Sequence, residues 1–386
     1  MPLPEYLPFG KPNFSDDEIA AVTRVLRSGW VGMGPETIAF ERELAGYLGV
    51  PHVVTVNSCT SALFLSLLVN GIGPGDEVIC PSLTWCSTAN AALHLGAQPV
   101  FCDVDADTLC VSAEHVLAKL TPKTKAVVVV HFGGLAADVG VLRTALPASV
   151  AIVEDAAHAF GARFADGTRV GASGHLTCFS FYANKNLSTA DGGAIALGEA
   201  ATAERLRSLR HQGLPLDAWK RFSQPGRLVS PGPLDRLGFK MNYTDLQACI
   251  GRVQLARQPE FDRIRLDIAR RYVDGLAGTS SPVAVQKDCT HPYHARHLFV
   301  VQLPMQRMRR GRDEVVLALR AKNIGASIHY APLHRMPLYG CASQDVSLPV
   351  TEEIAGRLLT LPISASMTVR DAEEVLREFT ALVAER

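Results

Sequence analysis

Residues 52–81 read HVVTVNSCTSALFLSLLVNGIGPGDEVICP, and they set the pattern for the first half of the chain. HVVTV (52–56) is a short β-branched run, and SALFLSLLVNG (61–71) carries its leucines and Phe64 on a broad apolar helix face. EVICP (77–81) then starts a second strand. The same alternation continues through the helical STANAALHLG and the strands PVFCDV (99–104), AVVVVHF (126–132) and VAIVED (150–155). Several of these strands are apolar almost throughout, as expected where helices cover both faces of a sheet. The pattern predicts an α/β fold with a mostly parallel sheet. LTCFSF (176–181) and GAIAL (193–197) read as a hairpin-like pair added to it.

Beyond that sheet the composition changes. HQGLPLDAWKRFSQPGRLVSPGPLDRLGF (211–239) is rich in proline, glycine and arginine and reads as a long loop, a kind of segment that tends to be functional. PEFDRIRLDIARRYVDGLAG (259–278) reads as a charged linking helix. After it, HLFVVQL and ASIHY read as strands, and RDEVVLALRAKN and VRDAEEVLREFTALVAE as amphipathic helices. The division is a large domain over 1–258 and a smaller C-terminal α+β domain over 259–386.

Composition excludes several classes. Formal net charge is zero, so no global field favours nucleic acid or an anionic membrane. The proline-broken start is not a secretory signal, and no apolar run is long enough to span a bilayer. Nine scattered cysteines without CxxC spacing argue against a disulfide framework or a zinc site and fit a reducing cytoplasm.

Four stretches fall at predicted strand ends, where open α/β sheets bind ligands. NSCTSAL (57–63) opens a helix with hydroxyls at Ser58, Thr60 and Ser61, a ready anion site. VEDAAH (153–158) places Asp155 at the end of an apolar strand, where a buried carboxylate needs a partner. PSLTWCST (81–88) sets Trp85 in a loop, able to cover a planar ring. FSFYANKNLSTADGG (179–193) holds Lys185, whose amine becomes nucleophilic if desolvated. Each has an ordinary explanation alone: a helix cap, a satisfied structural carboxylate, a packed tryptophan, a surface lysine. Together they match pyridoxal phosphate, which requires a lysine for its aldehyde, an acid at its ring nitrogen, a phosphate cup and a flat stacking partner. The small residues Ser188, Thr189 and Ala190 and the glycines after them are expected to leave room for the ring and phosphate.

These blocks, with FSDDEIAAVTRVLRSGWVGMGPETIAFE, VHFGG, GFKMNYTDLQACIG and SIHYAPLH, run along nearly the whole chain. In them the sequence resembles the DegT/DnrJ/EryC1/StrS aminotransferases. The resemblance implies a fold-type-I homodimer, with active sites at the subunit interface, that aminates keto sugars. It implies that Lys185 bonds the cofactor, Asp155 faces its ring nitrogen and Trp85 stacks on it, with Thr60, Ser61 and Ser180 at the phosphate. Asn242, and more weakly Lys240, would reach the phosphate of the neighbouring subunit's cofactor. His329, with Tyr330 beside it, would face the sugar. Three positions depart from the family pattern: Cys59 for a frequent glycine, His158 for a frequent glutamine, and Lys240 for an asparagine. His158 then bonds the ring's phenolic oxygen in one tautomer and not the other. Retention of Lys185 argues against the deoxygenating branch, in which histidine replaces it.

The expected reaction moves an amino group from glutamate or glutamine to a nucleotide-linked 4-keto or 3-keto deoxysugar. Arg221 and Arg227, with Lys220, are candidates to meet a diphosphate. A keto-cyclitol acceptor, or a cofactor-binding sensor without turnover, are the alternatives.

Overall fold

A computed structural model of the chain describes residues 3–214, 234–277, 282–343 and 346–383. Seven strands form the main sheet: β1 (His52–Val56), β2 (Glu77–Pro81), β3 (Gln98–Cys102), β4 (Thr124–Val130), β5 (Ala151–Asp155), β6 (Leu176–Ser180) and β7 (Gly193–Leu197). Their order is β1-β7-β6-β5-β4-β2-β3. The pairs from β3 to β6 are parallel, and β7 runs antiparallel to both β6 and β1. The expected mostly parallel sheet is present, and its hairpin-like pair is β6–β7. The opening stretch hides one fact: β1 and β2, successive in sequence, have four strands between them in the sheet.

That topology places the site. Because β1, β2, β4, β5 and β6 share one direction, their carboxyl ends meet at one edge of the sheet. The loops leaving β1, β2, β5 and β6 carry the four stretches singled out above.

The helix Cys59–Val69 packs its apolar surface on β5–β7, and Ser58 caps its start by accepting the Ser61 N–H through its hydroxyl. The close fit depends on Gly193. A Cβ there would stand 2.6 Å from the Cys59 nitrogen and 2.8 Å from the Phe179 carbonyl oxygen. Gly193→Ala is therefore expected to destabilise the protein by about 1–3 kcal/mol, read as a lower urea midpoint, because backbone on both sides must move. Gly192 has a φ of +144°, and a Cβ there would fall 2.4 Å from the Tyr243 ring. Ser188 and Thr189 are fully buried, and the Tyr243 hydroxyl donates to Thr189. These small residues thus make room for the protein's own helix and tyrosine, which corrects the expectation that they clear space for a ligand.

A second core gathers on the helix Gln258–Ala277 and a three-stranded antiparallel sheet of β8 (Ala284–Val285), β9 (Phe299–Gln302) and β10 (Leu358–Leu361). Tyr272, Phe299, Leu359 and Phe379 fill it. The stretch 326–330, expected as a strand, makes one antiparallel bridge from Ser327 to Thr360. His329 and Tyr330 turn towards the main sheet instead, and Pro332 lacks the N–H a ladder needs.

Candidate active site

The carboxyl edge of the sheet opens into a cleft of about 540 Å³ whose walls include Thr60, Trp85, Asp155, His158, Ser180, Lys185, His329 and Tyr330. A wider groove of about 1110 Å³ passes Arg163, His175 and His291, but among the described residues no lysine lines it. The smaller cleft unites a nucleophile with a carboxylate.

Lys185 sits on the loop between β6 and β7, its backbone N–H bonded to the Tyr182 carbonyl. Its side chain is half-buried, and among the described residues no carboxylate lies within ion-pair distance of the amine. Burial lowers its pKa to about 8, against a smaller upward pull from Cys59 and Asp155. Nζ lies 3.4 Å from Nε2 of His297.

Asp155 ends β5 and is buried. Its Oδ2 accepts from the Thr88 hydroxyl at 2.7 Å and its Oδ1 from the Ala157 N–H at 3.2 Å. Burial raises its pKa, while Thr88, Ala157 and the charge of Lys185 pull it down. With two donors on four acceptor sites, the carboxylate keeps capacity for a cationic N–H from the cleft.

Three histidines ring the amine. Burial depresses the pKa of His158, His297 and His329, and the charge of Lys185 adds to each; His329 falls to about 4. His158 Nδ1 faces the Gly133 N–H at 3.4 Å, so Nε2 carries the hydrogen and donates to the Tyr330 hydroxyl at 3.1 Å. The open tautomer question at His158 thus has an answer: Nε2 is its donor. His329 is oriented by the Thr360 hydroxyl, 2.8 Å from Nδ1. Trp85 is 59% exposed, its ring centroid 5.9 Å from that of Tyr330, so its faces are free to cover a ring.

Other expected members stand elsewhere. Ser61 is buried, and its hydroxyl donates to Asn57 Oδ1 at 2.6 Å instead of facing the cleft. Lys240 and Asn242 line a separate depression of about 300 Å³ beside Trp30 and Met33. Lys220, Arg221 and Arg227 lie outside the described residues. Sequence reasoning missed Phe9, Thr84, Tyr182, Asn184 and Asp191, all in the cleft wall, together with Thr88 and His297. Thr88 carried a signal, because it stands one helical turn after Thr84 in a stretch already chosen. Phe9 comes from the N-terminal segment and carried none.

The profile of the DegT/DnrJ/EryC1/StrS aminotransferase family matches residues 12–380. The chain belongs to that family. The aminotransferase is 39% identical over 385 residues to the spore coat polysaccharide biosynthesis protein SpsC of Bacillus subtilis, covering 98% of this chain and 97% of that protein. Among solved structures it is similar to the aminotransferase TlmJ of Streptoalloteichus hindustanus, at 36% identity and a TM-score of 0.88, over 97% of this chain and 98% of that one. It is also similar to the putative sugar aminotransferase Spr1654 of Streptococcus pneumoniae in its PMP-form, at 30% identity and a TM-score of 0.88, over 98% and 99% of the two chains.

The protein is accordingly a transaminase that works with pyridoxal phosphate. When bound, that cofactor supplies an aldehyde for amine capture and an electron-accepting ring. The residues present fit it. One cleft holds a desolvated amine without an acidic partner, a buried carboxylate with spare acceptor sites, an uncovered indole face, and the start of the helix Cys59–Val69 beside Thr60 and Ser180. Among the described residues no helix is long and apolar enough to cross a membrane.

Proposed function

We propose that this aminotransferase moves an amino group from glutamate or glutamine to a keto sugar, and that the acceptor is a nucleotide-linked deoxysugar. The observation that carries the reading is the juxtaposition of Lys185 and Asp155 in one cleft. Lys185 would hold the cofactor through its aldehyde and would serve as the group that moves a proton at its amine. Asp155, oriented by Thr88, would face the ring nitrogen and favour its protonated form. Trp85 packs on the ring, and His158 donates from Nε2. Thr60 and Ser180, with the helix N-terminus, would hold the phosphate; the Ser61 N–H is taken by the Ser58 hydroxyl, so Ser61 would act by fixing the cap. His329 and Tyr330 border the acceptor's side of the cleft.

The sugar reading draws on the relatives, whose names include polysaccharide biosynthesis and sugar aminotransferase. A homodimer is part of the proposal. Asn242 and Lys240 lie in a depression apart from the cleft in their own chain, where a second copy could receive them. So is the division into a large domain over 1–258 and a small one over 259–386, which the second core supports because its buried members all come from residues 268–383.

One observation favours the keto-cyclitol alternative. Among the described residues that line the cleft, Lys185 is the sole lysine or arginine, while Lys220, Arg221 and Arg227 lie outside the described residues. The test is to supply nucleotide-linked keto sugars and free keto-cyclitols with glutamate or glutamine and to identify products by mass and NMR. Amination of a nucleotide sugar supports the proposal, and turnover confined to cyclitols replaces it. Raised Michaelis constants in Arg221→Ala and Arg227→Ala proteins would place the diphosphate on the long loop.

A further inference from the structure

His297 stands just before β9, on a segment pinned to the turn after β4: Ala295 N–H donates to the Gly134 carbonyl at 2.8 Å, and Leu298 N–H to that of Gly133 at 3.1 Å. Its buried ring brings Nε2 to 3.4 Å from the Lys185 amine. What it does there depends on which ring nitrogen carries the proton. The other nitrogen, Nδ1, lies 3.3 Å from Oδ1 of Asn186. The direction of that amide is settled, because Asn186 Nδ2 donates to the Ala295 carbonyl at 2.7 Å, and a flipped amide would oppose two oxygens. Oδ1 can only accept, so Nδ1 carries the hydrogen and Nε2 offers a lone pair. Adjacent residues 185 and 186 therefore engage the two nitrogens of one imidazole.

We propose that His297 is a positioning residue for Lys185: held in its Nδ1–H tautomer by Asn186, it accepts a hydrogen bond from the lysine amine through Nε2 and fixes the direction of attack into the cleft. The groups facing the ring are Lys185, His158, Arg265 and His329, none of them an acid, and together with burial they keep the imidazole neutral. The His158 ring, 4.6 Å away between centroids and inclined by 34°, holds its plane. A lysine side chain has four freely rotating bonds, and an acceptor at its tip removes much of that freedom before any aldehyde arrives.

The inference rests on the reading of Lys185 as the reactive amine, but its test does not use the cofactor. An acceptor at 3.4 Å favours the ammonium over the amine and so opposes the effect of burial. Competitive acetylation of the full-length, cofactor-free protein, read at Lys185 by peptide mass, gives the pH of half-reaction. It is expected near 8 in the natural protein. His297→Phe should lower it by about one unit, and His297→Gln, which keeps an acceptor, should restore it. Nitrogen-15 spectra of histidine-labelled natural protein, assigned by the loss of one ring in His297→Gln, should show Nε2 unprotonated. A protonated Nε2, or an unchanged half-reaction pH in folded His297→Phe, overturns the proposal. If the phenylalanine variant does not fold, the spectra decide. Borohydride trapping at Lys185 tests the parent reading separately.

Discussion

Lys185→Ala is expected to lose turnover by about 10⁴-fold while the protein remains folded. The loss is large because on the proposed reading one side chain has two tasks, holding the cofactor and moving the proton, and among the described residues no other lysine lines the cleft. The fold should survive because the amine has no ion-pair partner to strand. In cofactor-free protein the variant should melt higher than the natural chain at neutral pH. The sign follows from linkage: burial brings Lys185 down to about 8 in the folded state, against an ordinary lysine value of 10.5. Its charge is buried at a cost below about pH 8, and that cost fades as pH rises towards 10.5. The variant's advantage should shrink over the same window. Melts of both proteins across that range, beside assays of the loaded enzymes, test both halves.

Asp155→Asn is expected to lower turnover by about a thousandfold with no loss of stability. Asparagine can still accept from the Ala157 N–H through Oδ1, and its Nδ2 can donate to the Thr88 hydroxyl, which accepts as well as donates, so the local bonds persist. What disappears is the negative charge that the proposed reading sets opposite the ring nitrogen, where it would favour the protonated ring. Folding raises the pKa of Asp155, so the carboxyl favours the folded state most below the ordinary value of 3.8, and that benefit declines as pH rises through the folded value. Above it the buried carboxylate carries a constant penalty that asparagine lacks, so the variant should melt no lower than the natural protein at neutral pH. A variant that lost stability and turnover together would make Asp155 a structural carboxylate.

The sequence exposes residues whose chemistry is local and conceals those that depend on distant packing. Asp155 and Lys185 were legible because a carboxylate ends an apolar strand and a lysine follows one, and parallel strands bring such ends to one edge. The apolar run of β4 made the parallel sheet legible in the same way. The direction of the Ser61 hydroxyl was not legible, because a hydroxyl in the first helical turn can face either a ligand or the preceding loop, and here it donates to Asn57. The glycines at 192 and 193 were assigned to a ligand because the helix and tyrosine that press on them come from elsewhere in the chain. His297 sits 112 residues from Lys185 in an ordinary strand approach, HLFVVQL, and nothing in that run marks it as a partner of the amine.

Borohydride reduction of the yellow protein, followed by digestion and peptide mass mapping, tests the central claim most directly. The account predicts a pyridoxyl adduct on the peptide that contains Lys185 and on no other. An adduct on a different lysine, or an active enzyme from which no adduct forms at residue 185, would contradict it.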